Sequence, residues 1–155
     1  MSALGTVGKM LQNSLSRGGA KRTKKNPAPE LEKGTFDYIS EPKSDYFSVG
    51  FAKTDVMPDD MDKTTYYVAG YKINNPAKGA LDPMTASAIW IDDQSGRGGV
   101  VFVSIDDIGL TNYDVGIIRD LLADFKKETG CRSINIMSIH NHASIDTVGF
   151  WGPLP

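Results

Sequence analysis

The segments GVVFVSI (residues 99–105), TNYDVGIIRDLLADFKKET (111–129) and RSINIMSI (132–139) predict a strand, a helix and a second strand. Both outer segments are short apolar runs rich in β-branched residues, which is typical of buried strands. A strand–helix–strand unit of this length joins two parallel strands, and its helix covers one face of the sheet. The predicted core of the fold is therefore a β-α-β crossover.

The middle segment carries the signals of an amphipathic helix. Thr111 with Asp114 resembles a helix start, and Gly130 is well placed to end the helix. Charged residues lie away from a single apolar stripe made of Ile118, Leu121, Leu122 and Phe125.

Short strand-like runs precede this unit, at residues 46–56, 64–71 and 85–91. Each run is followed by residues that favour turns, and the segment DDQSG (92–96) predicts a hairpin between the third and fourth strands. We therefore expect an α/β fold with a mixed β-sheet, a β-α-β crossover and the helix packed on the sheet.

Length and composition favour one globular domain. The chain has 155 residues, of which 40% are hydrophobic and 23% are charged. Residues 1–29 hold six of the 17 Lys and Arg residues and no acid, which leaves 11 basic and 19 acidic residues, a net charge of −8, for the rest. An acidic body argues against nucleic acid as a partner, because duplex binding needs a clustered positive face.

The division that we predict is a basic flexible tail and linker at residues 1–45 and an α/β domain at residues 46–155. The tail has no uninterrupted apolar core of signal-peptide type, and no run approaches the length of a membrane span, so we expect a cytoplasmic location. Apolar residues at helical spacing in the tail, ahead of KRTKK (21–25), allow for peripheral membrane contact.

Both histidines of the chain, His140 and His142, follow the last predicted strand. Side chains two apart on extended backbone point to the same side, so the two imidazoles can converge on one ion or one substrate atom. In parallel α/β units the ligand site lies beyond the carboxyl ends of the strands, which brings Asp106 and Asp107 to the same edge as the histidines. An isolated histidine pair is also compatible with an ordinary surface position.

A zinc site is one chemistry that this pair supports. Catalytic zinc takes three protein ligands and an open position, and only two histidines are present. Further ligands would be carboxylates such as Asp106 or Asp146, or groups outside this sequence. Cys131 begins the strand that His140 follows, so we expect it to lie far from the site.

Six segments resemble, in order, the N-terminal domain of the neutral/alkaline non-lysosomal ceramidases. They are VGFAKTDV (49–56), AGY (69–71), DP (82–83) with ASA (86–88), VSID (103–106), SIHNH (138–142) and DTVGFWGP (146–153). The resemblance implies zinc-dependent hydrolysis of the amide bond of an N-acylsphingosine. It also implies His140 as a zinc ligand and His142 as a catalytic residue lining the site. Asp106 is a second candidate catalytic residue, because of its position at the end of the neighbouring strand.

The resemblance implies in addition that the ligand set is incomplete here. The family adds a later His, Glu and Tyr, so this chain is expected to be a fragment that binds zinc weakly and is inactive alone. The loop ASID (143–146) also differs from the family pattern. Two alternatives stay open: another metal-dependent amidohydrolase, or a non-catalytic domain that binds a lipid or a partner.

Overall fold

The computed structural model describes residues 45–155, so the predicted tail and linker lie outside the described residues up to position 44. The described part contains four strands and two helices. In chain order they are β1 (Ser48–Asp55), β2 (Thr85–Asp92), β3 (Val100–Ile105), α1 (Asn112–Leu121), α2 (Ala123–Thr129) and β4 (Ser133–Ser138).

The four strands form one mixed sheet in the order β1-β2-β3-β4. Strands β1 and β2 pair antiparallel, as do β2 and β3, whereas β3 and β4 pair parallel. Both helices lie in the connection between β3 and β4. The predicted α/β class, the mixed sheet and the crossover are thus confirmed.

One face of the sheet carries the core. Val101 and Ile134, which pair across β3 and β4, form a buried cluster with Cys131. Leu122 and Trp90 are partly buried against this cluster. The Trp90 ring also meets the Phe125 ring edge to face at 6.3 Å between centroids, so α2 contacts this side of the sheet.

The predicted single helix is two helices with a break at Leu122. Thr111 and Asp114 form a capping box at the start of α1, and Gly130 ends α2 in the left-handed conformation with φ 68°, both as predicted. Leu122 has φ −96° and ψ 11°, outside helical geometry. The predicted apolar stripe was wrong at Leu121, which is 78% exposed. The helix breaks at the next residue, and Leu122 and Phe125 are the members of the stripe that contact the core side of the sheet.

The predicted strand at residues 64–71 is not formed. Only isolated bridges occur there: Tyr67 pairs with Pro76, and Val68 pairs with Ile145. The backbone hydrogen bonds of this segment are divided between two partners. Val68 N donates to Asn75 O at 2.9 Å, and Ala69 N donates to Ser144 O, in the loop after β4, at 2.9 Å. Within residues 45–155, no helix has the length and apolar character needed to cross a membrane.

Candidate functional site

The two imidazoles meet just beyond the end of β4. Their Nε2 atoms are 3.1 Å apart, and the rings meet edge to face with centroids 4.7 Å apart. The spacing predicted this convergence, but its premise of extended backbone was wrong. His140 has φ 64°, a left-handed conformation that is uncommon for a residue other than glycine. A turn at His140, rather than strand alternation, brings the rings together.

The orientation of His140 is fixed from the loop after β3. Its Nδ1 lies 2.9 Å from the carbonyl oxygen of Ile108. A carbonyl oxygen only accepts hydrogen bonds, so Nδ1 carries the proton and the lone pair of Nε2 points towards His142. Metal-binding histidines commonly have this arrangement, in which the second ring nitrogen donates to a backbone carbonyl.

This tautomer of His140 determines which of the two rings carries the proton between the Nε2 atoms. In the neutral pair, His142 Nε2 must donate the shared proton, because His140 Nε2 is an acceptor. The remaining nitrogen of His142, Nδ1, is then an acceptor, and it is buried without a partner among residues 45–155. A cation could bind both Nε2 lone pairs if His142 carried its proton on Nδ1 instead of Nε2.

Segment 69–71 packs against His142 from behind. Gly70 has φ 122°, and a Cβ at this position would lie 2.7 Å from His142 O and 3.0 Å from His142 Nδ1. Trp151 Nε1 donates to Gly70 O, which joins the last loop to the same support. The rings of Tyr71 and Trp151 lie 5.5 and 6.0 Å from the His142 ring. Aromatic side chains therefore line one side of the site.

Asn141, between the two histidines, links their loop to the end of β3. Its side-chain amide donates to Asp106 Oδ1 at 2.5 Å, and its backbone N–H donates to Asp107 O at 2.8 Å. Asp106 thus lies at the same edge as the histidines, as predicted, but its carboxylate contacts Asn141. Asn141 was not predicted as a site residue. The available signal was its position inside the His-x-His motif.

Asp107 was predicted only to share this edge, and it is almost completely buried, at 1% exposed. Burial raises the pKa of its carboxyl group, and the nearby charge of Asp106 acts in the same direction, while a hydrogen bond with the Ser138 side chain lowers it. Its Oδ1 atom has no hydrogen-bond partner among the described residues.

Asp146, considered above as a zinc ligand, organises the last loop instead. Its Oδ1 accepts the backbone N–H groups of Val148 and Gly149 at 3.0 and 2.8 Å. Its Oδ2 accepts those of Trp151 and Gly152 at 2.6 and 3.1 Å. Four donated hydrogen bonds occupy this carboxylate, so it is unsuited to binding a metal.

The histidine pair itself has a geometry that suits zinc. Two nitrogens bound to one tetrahedral zinc ion, at about 2.0–2.1 Å each, lie about 3.3 Å apart, close to the observed 3.1 Å. Within the described part of the chain, no group of three or more His, Cys, Asp or Glu side chains is arranged to hold a metal ion. Cys131 is buried at the other end of β4, as predicted.

The site is therefore a pair of imidazole donors at the carboxyl edge of a mixed sheet, oriented by a backbone carbonyl and supported by an asparagine and an aromatic rim. Comparison of the chain with protein-family models, with curated proteins and with solved structures gives no match.

Proposed function

We propose that this chain supplies the His-x-His part of a zinc-dependent amide hydrolase of ceramidase type, which cleaves an N-acylsphingosine to sphingosine and a fatty acid. The observation that supports the proposal best is the 3.1 Å separation of the His140 and His142 Nε2 atoms, with His140 held by Ile108 O. Two imidazoles in this arrangement are ready to bind one cation without a change of tautomer at His140.

Zinc, when bound, would polarise the amide carbonyl and lower the pKa of a water molecule. In this proposal His140 would hold the metal through Nε2, while its Nδ1–H group donates a hydrogen bond to Ile108 O. His142 lines the site and, where its Nε2 shares the cation with His140, would hold its proton at Nδ1. Asp106 acts through Asn141 and does not contact the substrate.

The surroundings of His142 favour a substrate with an apolar part. Tyr71 and Trp151 flank its ring, and Phe150 stacks edge to face on Trp151 at 6.0 Å. Tyr71 is 95% exposed and Phe150 is 44% exposed, so both offer apolar surface to a ligand. Aromatic surfaces of this kind suit the acyl and sphingoid chains of a lipid amide.

Two imidazoles do not make a complete catalytic zinc site. Since residues 45–155 hold no third donor in range, the proposal requires other ligands, supplied by water, by substrate or by further polypeptide. We therefore expect the 155-residue chain to bind zinc weakly and to turn over little substrate by itself.

Zinc titration of the full chain against a chromophoric chelator tests the proposal. We expect one zinc ion per chain, and at least a tenfold loss of affinity in His140→Ala and in His142→Ala. Lys127→Ala, on an exposed part of α2, serves as the control and should bind zinc like the wild type. Wild-type affinity no greater than that of His140→Ala would refute the metal site.

Turnover of a fluorescent N-acylsphingosine at saturating zinc tests the reaction. Slow hydrolysis that His140→Ala and His142→Ala both remove would support the ceramidase type. Zinc binding with faster hydrolysis of short, water-soluble amides would instead indicate another metal-dependent amidohydrolase.

A further inference from the structure

The sheet face opposite the helices is apolar and exposed. Alternation along the strands places two rows on this face: Val49, Ile91 and Val100 pair across β1, β2 and β3, and so do Phe51, Ile89 and Phe102. Phe51 is 70% exposed, Val49 66% and Phe102 40%. We call this surface the open face; it also includes Phe47 before β1 and Met137 on β4.

The open face is large for a protein that stays monomeric. Its apolar side chains expose on the order of 700 Å², more than the largest patch of a typical monomer and close to the area that each partner buries in a stable interface of standard size. The core on the helix side is small by comparison, since only six hydrophobic residues of the described chain are buried. Covering the open face would therefore add substantially to stability.

The composition of the open face is that of an interface. Asn135, on the edge strand β4, already donates to Val101 O and to Ser133 Oγ, each at 3.2 Å, so it can be covered without losing a partner. Charged residues lie at the ends of the face: Lys53 at one end, and Asp93, Arg97 and Arg132 around a cavity of about 230 Å³ at the other. An apolar centre with a polar rim is the usual anatomy of a protein–protein interface.

We infer that the open face is the contact surface of a homodimer, in which two copies of this chain pack sheet against sheet. The area matches what a stable dimer buries. A sheet face is also well suited to pack on an identical face, because side-chain rows from two aligned sheets interdigitate at a spacing of about 10 Å. When a two-fold axis relates the two copies, the same residues of each copy form the contact.

This dimer leaves the histidine site accessible. The histidines lie beyond the carboxyl ends of β3 and β4, whereas the cavity with Phe47 lies at the opposite ends of these strands. The inference is independent of the proposed hydrolase function.

Sedimentation equilibrium of the full 155-residue chain tests the inference. We expect a dimer at micromolar concentration, and Phe51→Glu is expected to raise the dissociation constant at least 100-fold, because it places a charge within the apolar contact at the most exposed residue of the two rows. Phe51 is exposed in the single chain, so this variant should keep the wild-type circular dichroism spectrum. Leu121→Glu is the matched control, since Leu121 is equally exposed but lies on α1, and it should dimerise like the wild type.

Other results would overturn the homodimer. A monomeric wild type that binds an apolar dye such as ANS, with less dye bound by Phe51→Glu, would mean that a different partner covers the face. A monomeric wild type that binds no dye would mean that residues 1–44 of the same chain cover it. A dimer that persists in Phe51→Glu would place the contact elsewhere, for example at the outer edge of β1.

Discussion

Asn141 donates from its side-chain amide to Asp106 Oδ1 at 2.5 Å, so the residue between the two histidines is attached to the end of the neighbouring strand β3. Asn141 Oδ1 in turn accepts the backbone N–H of Ala143 at 2.9 Å. These two contacts use both the NH2 group and the oxygen of the side-chain amide. They hold the backbone of Asn141 in place, and the imidazoles project from the residues on either side of it. Asn141 is therefore a positioning residue for the histidine pair.

Replacing the Asn141 amide with a carboxylate should weaken zinc binding. Asn141→Asp would set two carboxylates at hydrogen-bond distance, which repel each other and push the loop away from β3. We expect the zinc affinity of Asn141→Asp to fall about 10-fold or more, the usual effect of losing a residue that orients metal ligands. Competition with a chromophoric chelator measures the affinity.

A swap of the two side chains provides the control. In the double variant Asn141→Asp with Asp106→Asn, the donor and the acceptor exchange places, so zinc affinity should recover most of its loss. Asp106→Asn alone keeps an oxygen that accepts from Asn141, and it should bind zinc nearly like the wild type. Loss of zinc binding in Asp106→Asn alone would show that Asp106 is a metal ligand rather than a partner of Asn141.

Gly70 should be intolerant of a side chain because of His142. A Cβ in Gly70→Ala would approach His142 O to 2.7 Å, and the backbone at φ 122° disfavours any residue other than glycine. We expect a loss of about 2–3 kcal/mol in the free energy of unfolding, together with weaker zinc binding as His142 moves. Urea denaturation and zinc titration measure the two effects.

Gly79→Ala separates crowding from backbone strain. Gly79 also has a positive φ, of 155°, but a Cβ there would meet no atom within 4 Å. This variant should lose some stability and retain zinc binding. Equal effects of the two substitutions on zinc affinity would rule out support of His142 by segment 69–71.

The fold was predictable where local signals and long-range packing agree. The run at residues 99–105, the capping residue Thr111 and the stop at Gly130 each have a local cause, and each was correct. The segment at residues 64–71 has the composition of a strand, yet its hydrogen-bond partners lie in two irregular segments, residues 75–77 and the loop after β4. Composition alone does not show which partner a segment will find, so this strand was predicted wrongly.

The site was predictable only in outline. His-x-His spacing and the strand-end rule were sufficient to bring His140, His142 and Asp106 to one edge. The left-handed turn at His140 and the contact with Ile108 O depend on loops from distant parts of the sequence. Hydrogen bonds between loops leave no periodic pattern. The role of Asp146 was not identified because its four bonds, to residues 148–152, form within one irregular loop that also has no periodic pattern.

Among the residues of the loop after β4, Asp146 should contribute most to the stability of the loop. In Asp146→Asn an amide group would replace one carboxylate oxygen and face two backbone N–H donors, so two hydrogen bonds to a charged acceptor are lost. We expect a loss of about 3–6 kcal/mol in the free energy of unfolding, since such bonds contribute about 1.5–3 kcal/mol each. Amide hydrogen exchange should show the loss of protection at residues 148–152.

Asp92→Asn is a matched control for this substitution. Asp92 accepts one backbone N–H, from Gln94 at 2.8 Å, and an asparagine keeps an oxygen for that single bond. Its stability should stay within about 0.5 kcal/mol of the wild type. A similarly small effect of Asp146→Asn would mean that the loop after β4 is held by other contacts.

Asp107 should make stability depend on pH. Burial raises the pKa of its carboxyl group above the ordinary value of 3.8, so the folded state holds this proton more tightly than the unfolded state does. The resulting stability is fully present below the ordinary pKa and is lost as the pH rises through the raised value.

Asp107→Asn removes the charge and keeps the shape, so we expect it to be more stable than the wild type at pH 7, by about 1 kcal/mol, with a smaller difference at pH 4. Thermal unfolding at both pH values, with exposed Asp62→Asn as the control, measures this difference. A wild type that is more stable than Asp107→Asn at pH 7 would show that the ionised carboxylate has a favourable partner, such as a cation bound at its open Oδ1.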